Sequence, residues 1–395
     1  MLGYLRPDGR KGIRNYVLVA YLVECAHHVA RAIATPFEGE GVQLIGFPGC
    51  YPSPYAEDVM HKLCSHPNVG AVLLVSLGCE EFDRTGLRKR IEAAGRRVDT
   101  LVIQQSGGTS KTVETGRAWV REAVAALEAV PRAPMEPSEL VVGTKCGGSD
   151  GTSGITANPA VGVAVDHLVD AGGTAMFEEL GELLGCEQHM AGRAATPELG
   201  TAILEAMRKT AVYHEELEHG SFGGGNITGG LSTVEEKSIG AYAKSGSRPI
   251  VGLLKPGVQP PKPGLYLMDM VNDGGVKFGY PNINDTATIV EMIACGAHLI
   301  VFTTGCGSVV GSAISPVIKV CANPETYRRL EGDMDVNAGR ILESEAGLEE
   351  VGREIYDLSL DVAAGAPTKS EALGHQEFIL TYKTFGPLGP SCLPV

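Results

Sequence analysis

Residues 69–80 read Val69-Gly70-Ala71-Val72-Leu73-Leu74-Val75-Ser76-Leu77, then Gly78-Cys79-Glu80. A short apolar run rich in valine and leucine, stopped by a glycine turn, reads as a strand. Upstream, Tyr16–Val23 has the same character and Cys25–Ile33 reads as the helix that follows it. Val42–Phe47 is the next strand, ending in the turn Pro48-Gly49-Cys50, and Tyr55–Leu63 is a helix. Downstream come a polar-faced helix over Glu81–Ala94, a strand over Thr100–Gln104 and a long helix over Lys111–Ala129. This β-α alternation predicts a doubly wound parallel sheet. Such sheets take ligands at the carboxyl ends of their strands, where the glycine–cysteine turns at 50 and 79 fall.

The stretch Val130–Glu139 is proline-rich, which marks residues 131–138 as a linker between a first α/β domain, 1–130, and a second, 139–395. In the second half Leu140–Gly143 reads as a strand running into the loop Thr144–Thr156. A helix over Pro159–Ala171 follows, then a strand over Gly173–Phe177 that ends at Glu178-Glu179. Residues 196–219 read as helical and Gly220–Gly230 as a glycine-rich loop. Ile250–Leu254 and Leu299–Thr303 read as strands with a helix over Asp285–Cys295 between them, and the tail after Asp333 holds one clear helix. The fold class expected is α/β, with two Rossmann-like, mostly parallel, doubly wound units.

Of the 395 residues, 52 are glycine, and the formal charge is −14. The glycine excess points to many tight turns where backbone approaches a ligand closely. The acidic balance leaves no basic footprint for nucleic acid and disfavours an anionic membrane surface. With no apolar run long enough for a membrane helix and no signal-peptide core, a cytosolic chain is expected, with its ten cysteines reduced.

The densest chemistry lies in Lys145-Cys146-Gly147-Gly148-Ser149-Asp150-Gly151-Thr152-Ser153-Gly154, followed by Thr156-Ala157-Asn158-Pro159. A cation, a thiol, hydroxyls and a carboxylate sit between a strand and a helix. The glycines let N–H groups form an anion nest. Asn158 is placed to cap the helix, whose N-terminus favours a substrate carboxylate. Cys50, Cys79 and Cys146 share a setting of strand end plus glycine turn. Three thiolates so placed could hold an iron–sulfur cluster or a single metal ion, or could be three unrelated half-buried thiols. Cys306, in Thr304-Gly305-Cys306-Gly307, has the same shape. The arginines around Arg14 and Asn15 suit a carboxylate. Lys319, alone in an apolar run, is an anion binder or a base, or else it snorkels from a strand edge. Asn226 lies in a polar glycine loop, and Asp269 at the end of a strand-like run. Dinucleotide, Walker and nucleophile-elbow motifs are absent.

Arg6-x-Asp8-Gly-Arg10-x-Gly12-x-Arg14-Asn15, Gly78-Cys79-Glu80, the Lys145–Asp150 block, Ser153-Gly-Ile-Thr-Ala-Asn158-Pro159 and Glu235-Glu-Lys-Ser238 together resemble the altronate/galactarate dehydratase family over nearly the whole chain. The resemblance implies a hydro-lyase that converts a sugar acid, or a related 2,3-dihydroxy acid, to a 2-keto-3-deoxy acid. The cofactor it implies is iron, as Fe2+ or an iron–sulfur cluster, with Mn2+ as the substitute. A related branch, the sulfolactate sulfo-lyase large subunit, expels sulfite, and a non-catalytic sugar-acid-binding subunit is the third reading. Full-length members begin with a small SAF-type domain, so a separate small SAF-type subunit is expected as partner, together with a homo-oligomer. The family usually shows arginine where this chain has Cys306. In the site expected for this chemistry, Asp150 or Lys319 acts as base, and Lys145 and the Ser149 loop hold the substrate carboxylate together with Arg14. Arg14, Asn15, Ser153, Asn158, Asn226 and Asp269 would bind substrate, and Cys50, Cys79 and Cys146 would hold the metal.

Overall fold

The computed structural model describes the chain except residues 179, 217, 219, 272, 274–283, 382 and 384–395. Its strands are β1 (Leu2–Leu5), β2 (Lys11–Gly12), β3 (Tyr16–Tyr21), β4 (Val42–Gly46), β5 (Val69–Ser76), β6 (Arg97–Val102), β7 (Arg132–Pro134), β8 (Val141–Cys146), β9 (Thr174–Phe177), β10 (Ile250–Leu254), β11 (Gly264–Met268), β12 (Leu299–Thr304), β13 (Val317–Cys321) and β14 (Val336–Asn337). They make a parallel sheet in the order β4-β3-β5-β6, a larger parallel sheet in the order β10-β11-β9-β8-β12-β13-β14, and a small antiparallel sheet β2-β1-β7. The two parallel sheets, joined by helices, are the α/β architecture that the alternation predicts.

All eight residues of β5 are buried, which explains its unbroken apolar run. Val72 and Leu74 face one core, shared with the second sheet and the helices Pro54–Cys64 and Asp285–Ala294. Leu73 and Val75 face the opposite core, under the helices Glu24–Ala34 and Thr109–Leu127. Each such side chain contributes about 1.5–3 kcal/mol by leaving water. A third core packs the far face of the larger sheet against the helices Ala157–Asp170, Pro197–Glu216 and Leu348–Ala364.

The chain leaves β8 toward β9 on one side and returns to β12 on the other. This reversal of strand order opens a crevice at the carboxyl end of β8, the place where such sheets take ligands. Residues 131–138, expected as a linker, instead contain β7, which satisfies the free edge of β1. The glycine-rich loop over 220–230 contains a short helix, Gly224–Thr228. Lys319 lies in the middle of an interior strand, β13, paired with both β12 and β14, so it does not snorkel from a sheet edge. No described helix is long and apolar enough to cross a membrane.

Candidate active site

The register between β8 and β9 pairs Thr144 with Phe177, which brings the next residues, Lys145 and Glu178, side by side at the strand ends. Lys145 Nζ lies 2.7 Å from Glu178 Oε1, and both side chains are buried, at 6% and 0% exposure. Asp285 opens the helix Asp285–Ala294, whose cap Asn284 accepts from the Ala287 N–H at 2.8 Å. Its Oδ1 stands 3.7 Å from the same ammonium. On the next residue of β8, the Cys146 thiol donates to Glu182 Oε2 at 3.2 Å and accepts from the Lys244 ammonium at 3.2 Å. Glu182 Oε1 takes an ion pair from Lys237 at 2.8 Å. Three lysines thus alternate with three carboxyl groups around one thiol. Lys145, Glu178, Glu182, His214, Ser221 and Asp285 line a cavity of about 260 Å³ beside them. Glu178 Oε2 is buried without a hydrogen-bond partner among the described residues. An unpaired buried carboxylate oxygen costs free energy unless a ligand completes it.

Burial and charge set the protonation states here. Burial works to lower the Lys145 ammonium, but the Glu178, Asp285 and Glu182 carboxyl groups outweigh it and hold the group well above the ordinary lysine range. Lys244 goes the other way: burial lowers it, and the neighbouring thiol only partly restores it. Burial raises the Cys146 thiol, as does the Glu182 carboxylate. Burial also raises Asp285, with Lys145 opposing and the other two carboxylates adding to the rise. The cluster therefore contains a firmly charged ammonium and a carboxyl group that holds its proton to higher pH than usual.

The loop after β8 closes the crevice. Asp150 Oδ1 accepts from the Thr152 and Ser153 N–H groups and from both hydroxyls, at 2.7–3.1 Å, while Oδ2 accepts from Asn323 Nδ2 at 3.0 Å. Five donors on one carboxylate make Asp150 the organiser of the turn and leave it poorly placed to take a proton. Gly148 turns with φ +63°, and its carbonyl accepts from the Gly305 and Cys306 N–H groups, tying this loop to the one after β12. Asn226 Nδ2 donates to the Ser149 carbonyl at 3.1 Å. Asn158 does not cap its helix, which starts at Ala157 with Thr156 in the cap position. Its buried Oδ1 instead accepts from Thr303 Oγ1 at 2.6 Å. Lys145, Ser149, Asp150, Ser153, Asn158 and Asn226 thus belong to one connected set of strand-end loops.

The other expected residues lie elsewhere. All five N–H donors of Arg14 are committed, to both oxygens of Glu371 and to the carbonyls of Ile13, Val362 and Ala366. Asn15 is committed to Arg6 and to the Leu127 carbonyl. Arg14 has no donor left for substrate; the carboxylate that it recognises is the chain's own. Asp269 is held by Lys209 at 2.6 Å and Lys255 at 2.8 Å. Lys319 is separated from Lys145 by Phe302 of β12, and its Nζ lies 3.5 Å from His375 Nδ1. Burial lowers its pKa despite Asp333 and Asp335 nearby.

The three thiols are not gathered. Cys50 and Cys79 are exposed on adjoining turns of the first sheet, where the Glu81 N–H donates to the Cys50 carbonyl at 2.9 Å. Cys146 is buried in the second sheet between Lys244 and Glu182. Among the described residues no three His, Cys, Asp or Glu side chains form a group that could hold a metal ion. The surroundings of Cys146 do not fit iron, because a lysine ammonium occupies the thiol's flank where a cation would have to stand.

Glu182, Lys244 and Asp285 escaped the sequence reading, and Glu178 appeared in it only as the end of a strand. The available signal was register: Glu178 leaves β9 level with Lys145 on β8. Lys244 follows the helix Val234–Ala243 and carries no local pattern.

Two family descriptions match the chain. Residues 137–385 match "D-galactarate/Altronate dehydratase, C-terminal", and residues 3–128 match "D-galactarate dehydratase/Altronate hydrolase, second domain". The chain is 35% identical to the (2R)-sulfolactate sulfo-lyase subunit beta of Chromohalobacter salexigens, over 96% of each chain. It is 30% identical to an altronate dehydratase of Bacillus subtilis, over 96% of this chain and 76% of the other. To a galactarate dehydratase (L-threo-forming) of Escherichia coli it is 35% identical, over 78% of this chain and 58% of the other.

Proposed function

The chain belongs to the D-galactarate/altronate dehydratase family, a family of hydro-lyases, and from that premise we propose that it removes water from a sugar acid to give a 2-keto-3-deoxy acid in the cavity beside Lys145. The observation that carries this reading is the buried Lys145–Glu178 pair, whose second carboxylate oxygen has no partner among the described residues.

The chemistry needs a base for the C2 proton, an acid for the departing C3 oxygen, and positive charge where the substrate carboxylate becomes an enediolate. Lys145, charged and fixed, supplies the positive charge. Glu178 Oε2 takes the C2 proton while Oε1 stays anchored on Lys145, which holds the free oxygen in one orientation. Asp285, whose carboxyl is raised by partial burial and by the neighbouring Glu182 and Glu178 carboxylates, donates its proton to the C3 hydroxyl, so that water leaves and an enol remains. The enol then tautomerises to the 2-keto acid. Glu182, fixed by Lys237 and Cys146, and Ser221 line the wall and are placed to bind the remaining hydroxyls. No step runs through iron, since the thiols do not fit it.

A second reading has its own support: the full-length match to a sulfo-lyase subunit. A leaving sulfonate would need no proton from Asp285, because sulfite departs as an anion. The name of that relative, subunit beta, also supports a partner chain for this enzyme. The test is an anaerobic assay over aldonic, aldaric and sulfonated hydroxy acids, following 2-keto acid and sulfite separately. Keto acid without sulfite, abolished in Glu178→Gln, supports dehydration. Sulfite release establishes the second reading, and no turnover of any acid refutes both.

A further inference from the structure

We propose that a second ligand site, for a small organic anion with an apolar body, lies at the amino ends of β8 and β9, opposite the catalytic cavity. Val141 and Thr174, the first residues of those strands, line a cavity of about 390 Å³ together with the N-terminal turn and the loop before β11. Its described lining carries three cations, Arg10, Lys11 and Lys262, against one carboxylate, Glu139, on a chain whose net charge is −14. Glu139 is already spent: both its oxygens hold Lys11, at 2.7 and 2.9 Å. That leaves the other two cations. Arg10 uses Nε and Nη2 on Asp8 and the Ser65 carbonyl. Among the described residues, its Nη1 and the Lys262 ammonium make no hydrogen bond or ion pair with the chain.

The ground behind Arg10 is equally short of negative charge. Arg96 shares Asp8 and the Ser65 carbonyl with it, so one carboxylate serves two guanidiniums. Arg96 Nε is buried without a hydrogen-bond partner among the described residues. His298 adds no charge, because its Nδ1 accepts from the Val141 N–H at 3.0 Å and its Nε2 faces the Lys11 carbonyl at 3.0 Å, which fixes a neutral ring. An incoming anion would therefore meet unpaired guanidinium and ammonium donors, and charge-assisted contacts of this kind are among the strong ones. Much of the rest of the wall is apolar, with Pro67, Met135, Pro260, Pro261 and Pro263 beside the polar Thr174 and Gln259. Prolines present rigid faces that spend no backbone entropy on binding, and they suit a flat or aliphatic body attached to the acid group.

The experiment is isothermal titration of the whole protein with 2-naphthoate and, separately, with inorganic phosphate. Naphthoate is expected to bind saturably to the parent protein and to Glu178→Gln alike. It should bind roughly tenfold or more weakly to Lys262→Glu, which reverses a cation with no partner among the described residues. Turnover of Lys262→Glu without ligand is expected to match the parent. Absence of naphthoate binding, or binding untouched by Lys262→Glu, overturns the site. Loss of binding in Glu178→Gln places the ligand in the catalytic cavity and also overturns it. Phosphate binding without naphthoate binding overturns the apolar half of the proposal.

Discussion

Replacing Glu178 by glutamine keeps the shape of the side chain and removes its charge and its basicity. Glu178 is fully buried, and its Oε1 holds Lys145 at 2.7 Å. Removing one partner of a buried ion pair typically costs ~3–5 kcal/mol. Here the amide oxygen still accepts the hydrogen bond, and Asp285 at 3.7 Å still faces the ammonium, so about 1–3 kcal/mol of stability should be lost. The effect on turnover should be larger. Without a general base the expected loss in kcat is ~10²–10⁴-fold, or about 2.7–5.4 kcal/mol at 1.36 kcal/mol per decade. KM should move little, since Lys145 remains to bind the substrate carboxylate. The assay is the initial rate of 2-keto acid formation against substrate concentration, with thermal unfolding of the same preparation to separate folding from chemistry. A Glu178→Gln enzyme whose kcat stayed within about threefold of the parent would refute Glu178 as the base.

Three further outcomes can be checked. The Asp285 carboxyl is raised by burial and acts in its protonated form, so kcat should fall as pH rises through its raised pKa, and Asp285→Asn should lose that alkaline limb together with most of its turnover. The Arg14–Glu371 pair should matter for stability: Glu371→Gln should cost ~2–4 kcal/mol in denaturant unfolding with little change in kcat. Burial works against the Glu371 carboxylate, but Arg14 and its other donors lower its pKa below the unfolded value, so this stability is present above the unfolded pKa and lost as pH falls through the folded one. Gly305→Ala should destabilise the loop pair, because a methyl there would stand 2.1 Å from Asp150 Oδ1, which four other groups hold in place; a variant as stable as the parent would show that the turn can relax.

The two parallel sheets were legible because buried strands write continuous apolar runs, as in Val69–Ser76, and their helices write the 3.6 period. The crevice was legible in outline, since the glycine loop follows an apolar strand, although that strand runs on through Lys145 to Cys146. What remained hidden depends on register and long-range pairing. Glu178 and Lys145 are far apart in sequence, and only the β8–β9 alignment joins them. Arg14 was expected to bind the substrate carboxylate, but it is spent on the chain's own Glu371, from the other end of the chain, where no local pattern announces it. The thiols misled for the same reason: three similar turns implied convergence, yet Cys50 and Cys79 belong to one sheet and Cys146 to the other.

The most direct test of the central claim is a crystal structure of Glu178→Gln soaked with an unreacted sugar acid. The account predicts the substrate carboxylate on the Lys145 ammonium, the C2 hydrogen facing the side chain at 178, and the C3 hydroxyl within hydrogen-bond reach of Asp285. A sugar acid bound instead against Lys319 and His375, or anywhere outside this cavity, would contradict it.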